Sequence, residues 1–400
     1  MTHSETLPRY ATAFECLGAA CPDTCCGGWI VDVDHETYGV WAARDAQLAG
    51  SSLTSLVREP AGSERKHDVT WLLASAKDSA CACLTEDKLC GVQMSLGESA
   101  IPLTCATYPR AYTRSGDRVE MHLHLSCPEA ARLALSDPGA MQSVVNVQPP
   151  ARRGIRERKS SGLASPSERE DPALDVIDAT AAMLVEAVRS LIGTPSLTAW
   201  QALALYWQTV ASLPLGANAS NERASVIERI VAMCEETTRS CPSVLAAQAA
   251  TMCLEQELSL PILLNIAGLN ANRVRGKRYM SPAQTAVTQV LSAFGLDGET
   301  DAPASDDACR RCAQALQQWV EPFEAAHPHV LKNYLVNKMA CMRFPWKGAA
   351  GLNEELIKLA LDLMILRILF AAQAHIQQRA LNIADCVQMV QSYERYAAVR

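Results

Sequence analysis

Cys16-Leu-Gly-Ala-Ala-Cys21-Pro-Asp-Thr-Cys25-Cys26-Gly-Gly-Trp29 sets four thiols close together in the chain. Adjacent cysteines in extended chain point to opposite sides, so Cys25 and Cys26 reach one centre only through a turn. Gly27 and Gly28 permit that turn and leave backbone N–H groups free to bond thiolate sulfur. Two further clusters follow: Cys81, Cys83 and Cys90, then Cys105 and Cys127. Nine of the 16 cysteines of this 400-residue chain fall between positions 16 and 127, about twice an even spread. The chain opens without a basic stretch leading into an apolar core, so no secretory signal is read and a cytoplasmic location is expected. In reducing surroundings clustered thiols serve as metal ligands or reactive groups rather than as disulfides, and a chain of this size needs no disulfide staple.

The remainder of the sequence has a different character. Residues 1–144 form the cysteine-rich part, with a short strand expected over Ile30–Asp34 and a helix over His35–Val57. Residues 145–171, polar, Ser-rich and locally basic, read as a linker. Residues 172–400 show apolar positions at helical spacing over 173–193, 197–213, 222–236, 242–268, 281–295, 305–324, 328–343, 352–375 and 380–397. The fold class is therefore mainly α: a cysteine-rich, α-plus-irregular N-terminal metal-cluster domain followed by an all-α helical domain. Neither a GxGxxG nor a P-loop occurs, which excludes a doubly wound nucleotide-binding unit. A formal net charge of −7 and an aromatic content of 5% argue against nucleic acid. The longest apolar stretch, Leu359–Ala374, is broken by Asp362 and Arg367 and is too short to span a bilayer, so no transmembrane segment is expected. The basic runs Arg152–Lys159 and Arg273–Arg278 leave peripheral membrane contact open beside the plainer reading of solvated loops.

Regular CxxC pairs of the zinc-module kind are missing from the first third, and an all-thiolate set drawn from distant segments suits an iron–sulfur cluster at least as well as zinc. Cys309 and Cys312 form the one CxxC of the chain, within a helical run, and read as ordinary helix residues. Cys234, Cys241, Cys253, Cys341 and Cys386 read as small core residues. Ser126 and Glu129 fit a capping box for a helix from Cys127 to Leu135, which would put Cys127 at a helix N-terminus where thiolate is favoured. A buried thiol fits the same position.

Tyr10-xxx-Phe14-x-Cys16-Leu-Gly-xx-Cys21-x-Asp23-x-Cys25-Cys26-x-Gly28-Trp29 resembles the opening signature of the flagellin lysine-N-methylase family, FliB. Leu89-Cys90-x-Val-Gln93, Leu96-Gly97-Glu98, Thr104-Cys105-xx-Tyr108-Pro109-Arg110 and Leu125-Ser126-Cys127-Pro128-Glu129-Ala-Ala-Arg132 follow in that family's order. Asn333-Tyr334-Leu-Val-Asn337 with Phe344-Pro345 is similar to its C-terminal signature. Where the family commonly has Cys-Pro-Phe-Leu, this chain has Cys81-Ala-Cys83-Leu84, which sets Cys83 aside as a ligand.

The resemblance implies a cytoplasmic enzyme that moves a methyl group from S-adenosylmethionine to lysine ε-amines of flagellin, with a 4Fe-4S cluster. The CxxxCxxC run that leaves one iron open to S-adenosylmethionine is absent, because Cys26 follows Cys25 directly. The candidate ligands are Cys16, Cys21, Cys25, Cys26, Cys81, Cys90, Cys105 and Cys127, more than one cluster needs. Asp23, Tyr108, Glu129 and Tyr334 are catalytic candidates by motif position, since acid and tyrosine oxygens suit both a departing proton and a positive sulfur. Turn capping, helix capping and packing are the structural alternatives for them. Arg110, Asn333 and Asn337 are candidates for cofactor binding, Arg110 through a bidentate grip on a carboxylate or, alternatively, as the partner of a structural acid. A non-catalytic iron–sulfur or zinc-binding module and a flagellin-binding adaptor stand as alternatives. The sequence leaves the oligomeric state open.

Overall fold

Hydrophobic burial gathers the protein into two cores. A computed structural model describes residues 4–27, 31–44, 47–48, 51–60, 71–73, 80–115, 118–146, 173–211, 220–239, 282–295, 304–342 and 348–396. Most of the linker reading, the 242–268 helix, both basic runs, Gly28, Trp29 and Phe344-Pro345 lie outside these residues.

The smaller core belongs to the cysteine-rich segment. Strand β2 (Val31–Val33) pairs antiparallel with β6 (Trp71–Leu73), which pairs in turn with β5 (Val57–Arg58). Helix α2 (His35–Ala43) starts where the Asp34 carboxylate accepts the Thr37 N–H at 2.9 Å, an N-cap that satisfies a free first-turn donor. Its Trp41 is fully buried and donates to the Ala100 carbonyl at 2.7 Å. The helix does not run to Val57 as its apolar spacing suggests. It ends at Ala43, and the chain beyond forms the short strands β3 (Gln47–Leu48) and β4 (Ser51–Ser52), a 3-10 turn over Leu53–Leu56, and β5. The weak helix formers Ser51 and Ser52 pair there with Leu48 and Gln47 instead.

The larger core joins both ends of the chain. Strand β1 (Ser4–Pro8) lies between β8 (Arg118–Leu123), its parallel partner, and β9 (Ser143–Asn146), its antiparallel one, while β7 (Arg110–Ser115) closes the other side of β8. The cysteine-rich part is thus α plus β rather than α plus irregular. The missed strands β7 and β8 are a hairpin whose alternation is masked by Arg110, Arg114, Arg118 and Glu120, and β1 is fixed only by pairing with chain more than a hundred residues away.

One side of this core is helical. A single turn, α1 (Arg9–Thr12), and α3 (Gly91–Leu96), α4 (Leu103–Thr107) and α5 (Pro128–Ser136) precede the C-terminal helices. Those are α6 (Ala173–Gly193), α7 (Ala199–Ala211), α8 (Ser220–Arg239), α9 (Pro282–Ser292), α10 (Asp306–Ala315), α11 (Glu321–Ala326), α12 (His329–Cys341), α13 (Gly348–Gln377) and α14 (Ile383–Tyr396). Each falls within or close to a stretch of helical spacing. A π turn over Leu316–Val320 divides the expected 305–324 helix ahead of Pro322. Among the described residues 172–396 hold no strand, and no helix is long and apolar enough to cross a membrane.

Two polar ties secure the sheet to the helices. Tyr10 and Asn337 together saturate the Leu123 peptide: the Leu123 N–H donates to Tyr10 Oη at 2.9 Å, and Asn337 Nδ2 donates to the Leu123 carbonyl at 3.0 Å. Arg189 of α6 reaches Glu120 Oε2 at 3.0 Å. Burial alone would raise the Glu120 carboxyl, but the His122 hydrogen bond and the Arg189 charge outweigh it and hold it near 2. A depressed carboxyl stabilises the fold above its usual value of about 4.5 and loses that effect as pH falls toward 2. Replacing Arg189 by Met is therefore expected to cost about 3 kcal/mol at neutral pH. Thermal melts should show the gap to the parent narrowing as pH drops below 4.5.

Candidate functional site

Four thiol-bearing segments meet where the small core abuts the large one. In the first, Gly18 takes φ +55°, a left-handed conformation that suits glycine, and opens the 3-10 turn Gly18–Ala20 leading into Cys21. The Cys26 N–H bonds Thr24 Oγ1 at 3.2 Å and so helps form the turn that adjacent cysteines require. The second segment docks directly on the first: the Cys81 N–H donates to the Cys26 carbonyl at 2.7 Å, and Gly27 pairs with Ala80. Leu84 pairs with Cys90, and the Gly91 N–H donates to the Cys83 carbonyl at 2.8 Å, knotting Cys81, Cys83 and Cys90 together. Asp34 also accepts the Leu103 N–H at 2.9 Å and draws α4, with Cys105, to the same place. Gln391 of α14 joins the first segment to the last, donating to Asp23 Oδ2 at 2.9 Å and to the Ser126 carbonyl at 3.1 Å beside Cys127.

The thiols act on one another through space. Burial pushes Cys105 up, and Cys81, Cys90 and Cys25 add to it. Burial likewise raises Cys90, with Cys81 and Cys25 contributing, while the first-turn amides of α3 work the other way. Cys25 is raised first by its hydrogen bond with Cys26 and then by burial. Burial raises Cys21, with Cys25 and Cys16 among the smaller contributors. Cys81 alone moves down, to about 7, because Cys83 donates to it. Cys81, Cys90 and Cys25 thus act on Cys105, and Cys21 and Cys25 act on Cys127.

So many sulfurs cannot ionise together unless a positive centre lies among them. Zinc would need its sulfurs within about 4 Å of each other. Among the described residues no three His, Cys, Asp or Glu side chains are grouped so as to hold a metal ion. An iron–sulfur cluster spaces its ligands more widely, on the order of 7 Å, and takes thiolates exclusively in its common forms. Thiolate is the donor type that such a cluster takes.

The other sequence candidates are placed as follows. Tyr108 is at the junction, its hydroxyl 3.1 Å from Ser126 Oγ; burial raises it, as does the neighbouring Cys127, so it stays protonated. Asp23 is buried there and ion-paired with Arg395 at 3.3 Å. Glu129 lies in the first turn of α5, gripped by Arg132 at 2.6 and 2.8 Å. It does not form the expected capping box. Pro128 occupies the first helical position, so the cap falls on Cys127 rather than Ser126. Nor does the helix terminus make Cys127 acidic, since burial outweighs the amides of Glu129 and Ala130 and pushes it up to about 11. Arg110 stacks over the Phe14 ring at 5.3 Å. Asn333 donates to the carbonyls of Ala134 and Asp137, both at 2.9 Å, at the end of α5. With the Asn337 contact to Leu123, both amides are engaged with backbone. Tyr334 is fully buried and donates to Glu394 at 2.8 Å, in a cluster with Lys338 and Asp362.

Sequence reading passed over Gln391, Arg395, Lys338 and Glu394. One signal was present. Asp362 inside an apolar helix demands a buried partner, and Lys338 supplies it at 3.3 Å.

A mainly helical protein with a thiol-lined junction at its N-terminal end is the class that fold and site define. The model of the FliB lysine N-methylase C-terminal domain matches residues 186–397. The chain belongs to the FliB family. It is 36% identical over 140 residues to the flagellar biosynthetic protein FliU of Salmonella muenchen, covering 34% of this chain and 79% of that one. It is 35% identical over 140 residues to the lysine-N-methylases of Salmonella typhimurium and Salmonella choleraesuis, a match that spans only 33% of their length. No solved structure matches.

Alkylation of the metal-free, folded chain tests the placement of the thiols. Cys16 is exposed, whereas Cys83, Cys312 and Cys386 are buried. Iodoacetamide labelling followed by peptide mass spectrometry should modify Cys16 at least ~100-fold faster than those three.

Proposed function

We propose that the protein methylates lysine ε-amino groups of flagellin with S-adenosylmethionine, using a 4Fe-4S cluster at the thiol junction. The observation that carries this reading is the meeting of four separate cysteine segments in a chain of the FliB lysine N-methylase family. Cys25, Cys81, Cys90 and Cys105 are the proposed ligands, because Cys25, Cys81 and Cys90 all act on Cys105, and Cys25 and Cys81 act on Cys90. A cluster there would supply either an iron position for the cofactor's amino-carboxylate end or an electron.

The chain's own groups have separate tasks. A methyl acceptor nitrogen must be uncharged, whereas free lysine has a pKa near 10.4. A half-buried junction disfavours the ammonium form by desolvation. Tyr108, held protonated, serves as a hydrogen-bond donor rather than a base. Asp23 is the carboxylate at the junction and orients what lies beside it. Nitrogen, methyl carbon and sulfur must then be held in line, a matter of position more than of acid strength.

Anaerobic reconstitution with iron and sulfide, followed by incubation with labelled S-adenosylmethionine and flagellin, tests the reading. The parent chain is expected to take up four irons, show the broad visible absorption of a cluster and label flagellin on lysine. Changing Cys105 or Cys90 to Ser should lower both iron content and labelling by ~100-fold or more. Flagellin bound but never labelled overturns the enzyme in favour of an adaptor. Zinc uptake with a featureless visible spectrum overturns the cluster.

A further inference from the structure

The last two turns of α14 carry polar side chains that divide between two buried places. Gln391 and Arg395 are one turn apart and share a face. The Arg395 guanidinium donates to the Thr24 carbonyl and, at 3.0 Å, to the Gly27 carbonyl, and its Nε lies 3.3 Å from Asp23 Oδ2. Gln391 donates to that same carboxylate oxygen and to the Ser126 carbonyl. The two carbonyls taken by Arg395 bracket Cys25-Cys26. Side chains of Asp23 and Arg395 are only 6% and 8% exposed, so these bonds form away from competing water.

Tyr393 and Glu394 turn the other way. Tyr393 donates to Asp362, and Glu394 accepts from Lys338 at 2.7 Å and from Tyr334 at 2.8 Å. Lys338 also lies 3.3 Å from Asp362, whose side chain is wholly buried. This cluster pins the rotation and height of α14, so Arg395 meets the thiol loop in one orientation.

We propose that Arg395, seconded by Gln391, is a positioning residue for the thiol site, setting the turn that presents Cys25 and Cys26 to the bound centre. The inference rests on the metal reading above and extends it: the helical domain supplies part of the site. Arginine suits the task because its fork sends several donors in fixed directions, toward two carbonyls and a carboxylate at once. A lysine in its place keeps the charge and loses the fork.

The test uses the full chain as Arg395→Lys, Arg395→Met and Gln391→Met. Iron per chain after anaerobic reconstitution, the reduction potential of the loaded protein, and iodoacetamide labelling of each cysteine in the metal-free protein are the readouts. Losing a hydrogen bond to a charged group changes local opening by about tenfold. Cys26, part-buried, should therefore be labelled about tenfold faster in both Arg395 variants; Cys25, already exposed, should change little, and Cys90 and Cys105, held by the small core, keep the parent rate. Iron content should fall at least threefold or the potential should shift, with Gln391→Met intermediate on every readout. Parent-like labelling and iron content in Arg395→Lys overturn the inference, because charge alone then suffices. Should Arg395→Met melt out, the contrast of Arg395→Lys and Gln391→Met with the parent decides. A parent chain that binds neither iron nor zinc defeats the metal reading, and the labelling rates still decide whether Arg395 holds the loop.

Discussion

Leu123 is the point at which the chain's distant parts are fastened together. It ends β8, and both of its backbone groups are taken by side chains from elsewhere, the N–H by Tyr10 and the carbonyl by Asn337. An unpaired peptide group at this depth costs a few kcal/mol, so the pairing is close to obligatory once the strand is buried. Tyr10 belongs to the opening cysteine signature and Asn337 to the C-terminal one. Their meeting places the Ser126-Cys127 corner, four residues beyond Leu123, at a fixed distance from α12 and α14.

With that corner fixed, the electrostatics of the thiols follows. Burial resists ionisation at Cys90, Cys105 and Cys127, and neighbouring thiolates resist it further. Burial thus favours the protonated thiol at these sulfurs, and Cys81 departs from the pattern because Cys83 donates to it. Cys83 is itself a buried member of the small core. It fills apolar space and lends a hydrogen bond to a ligand candidate.

The helical half of the fold was legible because burial alone shapes it. Its apolar positions repeat at the helical period, and the expected 173–193 helix coincides with α6. The cysteine-rich half was legible in its chemistry but not in its topology. Strand β1 takes its place only through β8 and β9, which local spacing does not encode. The His35–Val57 helix had suitable periodicity, yet Val57 and Arg58 gain more by pairing with Leu73 and Leu72. The site was half legible for the same reason. Cysteines declare themselves by type, whereas Gln391 and Arg395 are ordinary helix residues until the fold carries them across to Asp23.

The small core around Trp41 and Leu53 is well buried. What that core does not reach is the loop from Cys21 to Gly27, which has no buried apolar side chain to anchor it. Polar contacts have to hold it, and polar contacts hold well only where water is excluded. The body of helices provides that exclusion. It then presents Arg395 from a helix whose other face is locked by a buried lysine between two carboxylates. An unbalanced charge at this position would be costly, so the lock resists rotation of α14. The cysteine loop and this buried charge network are thus held by the same end of one helix.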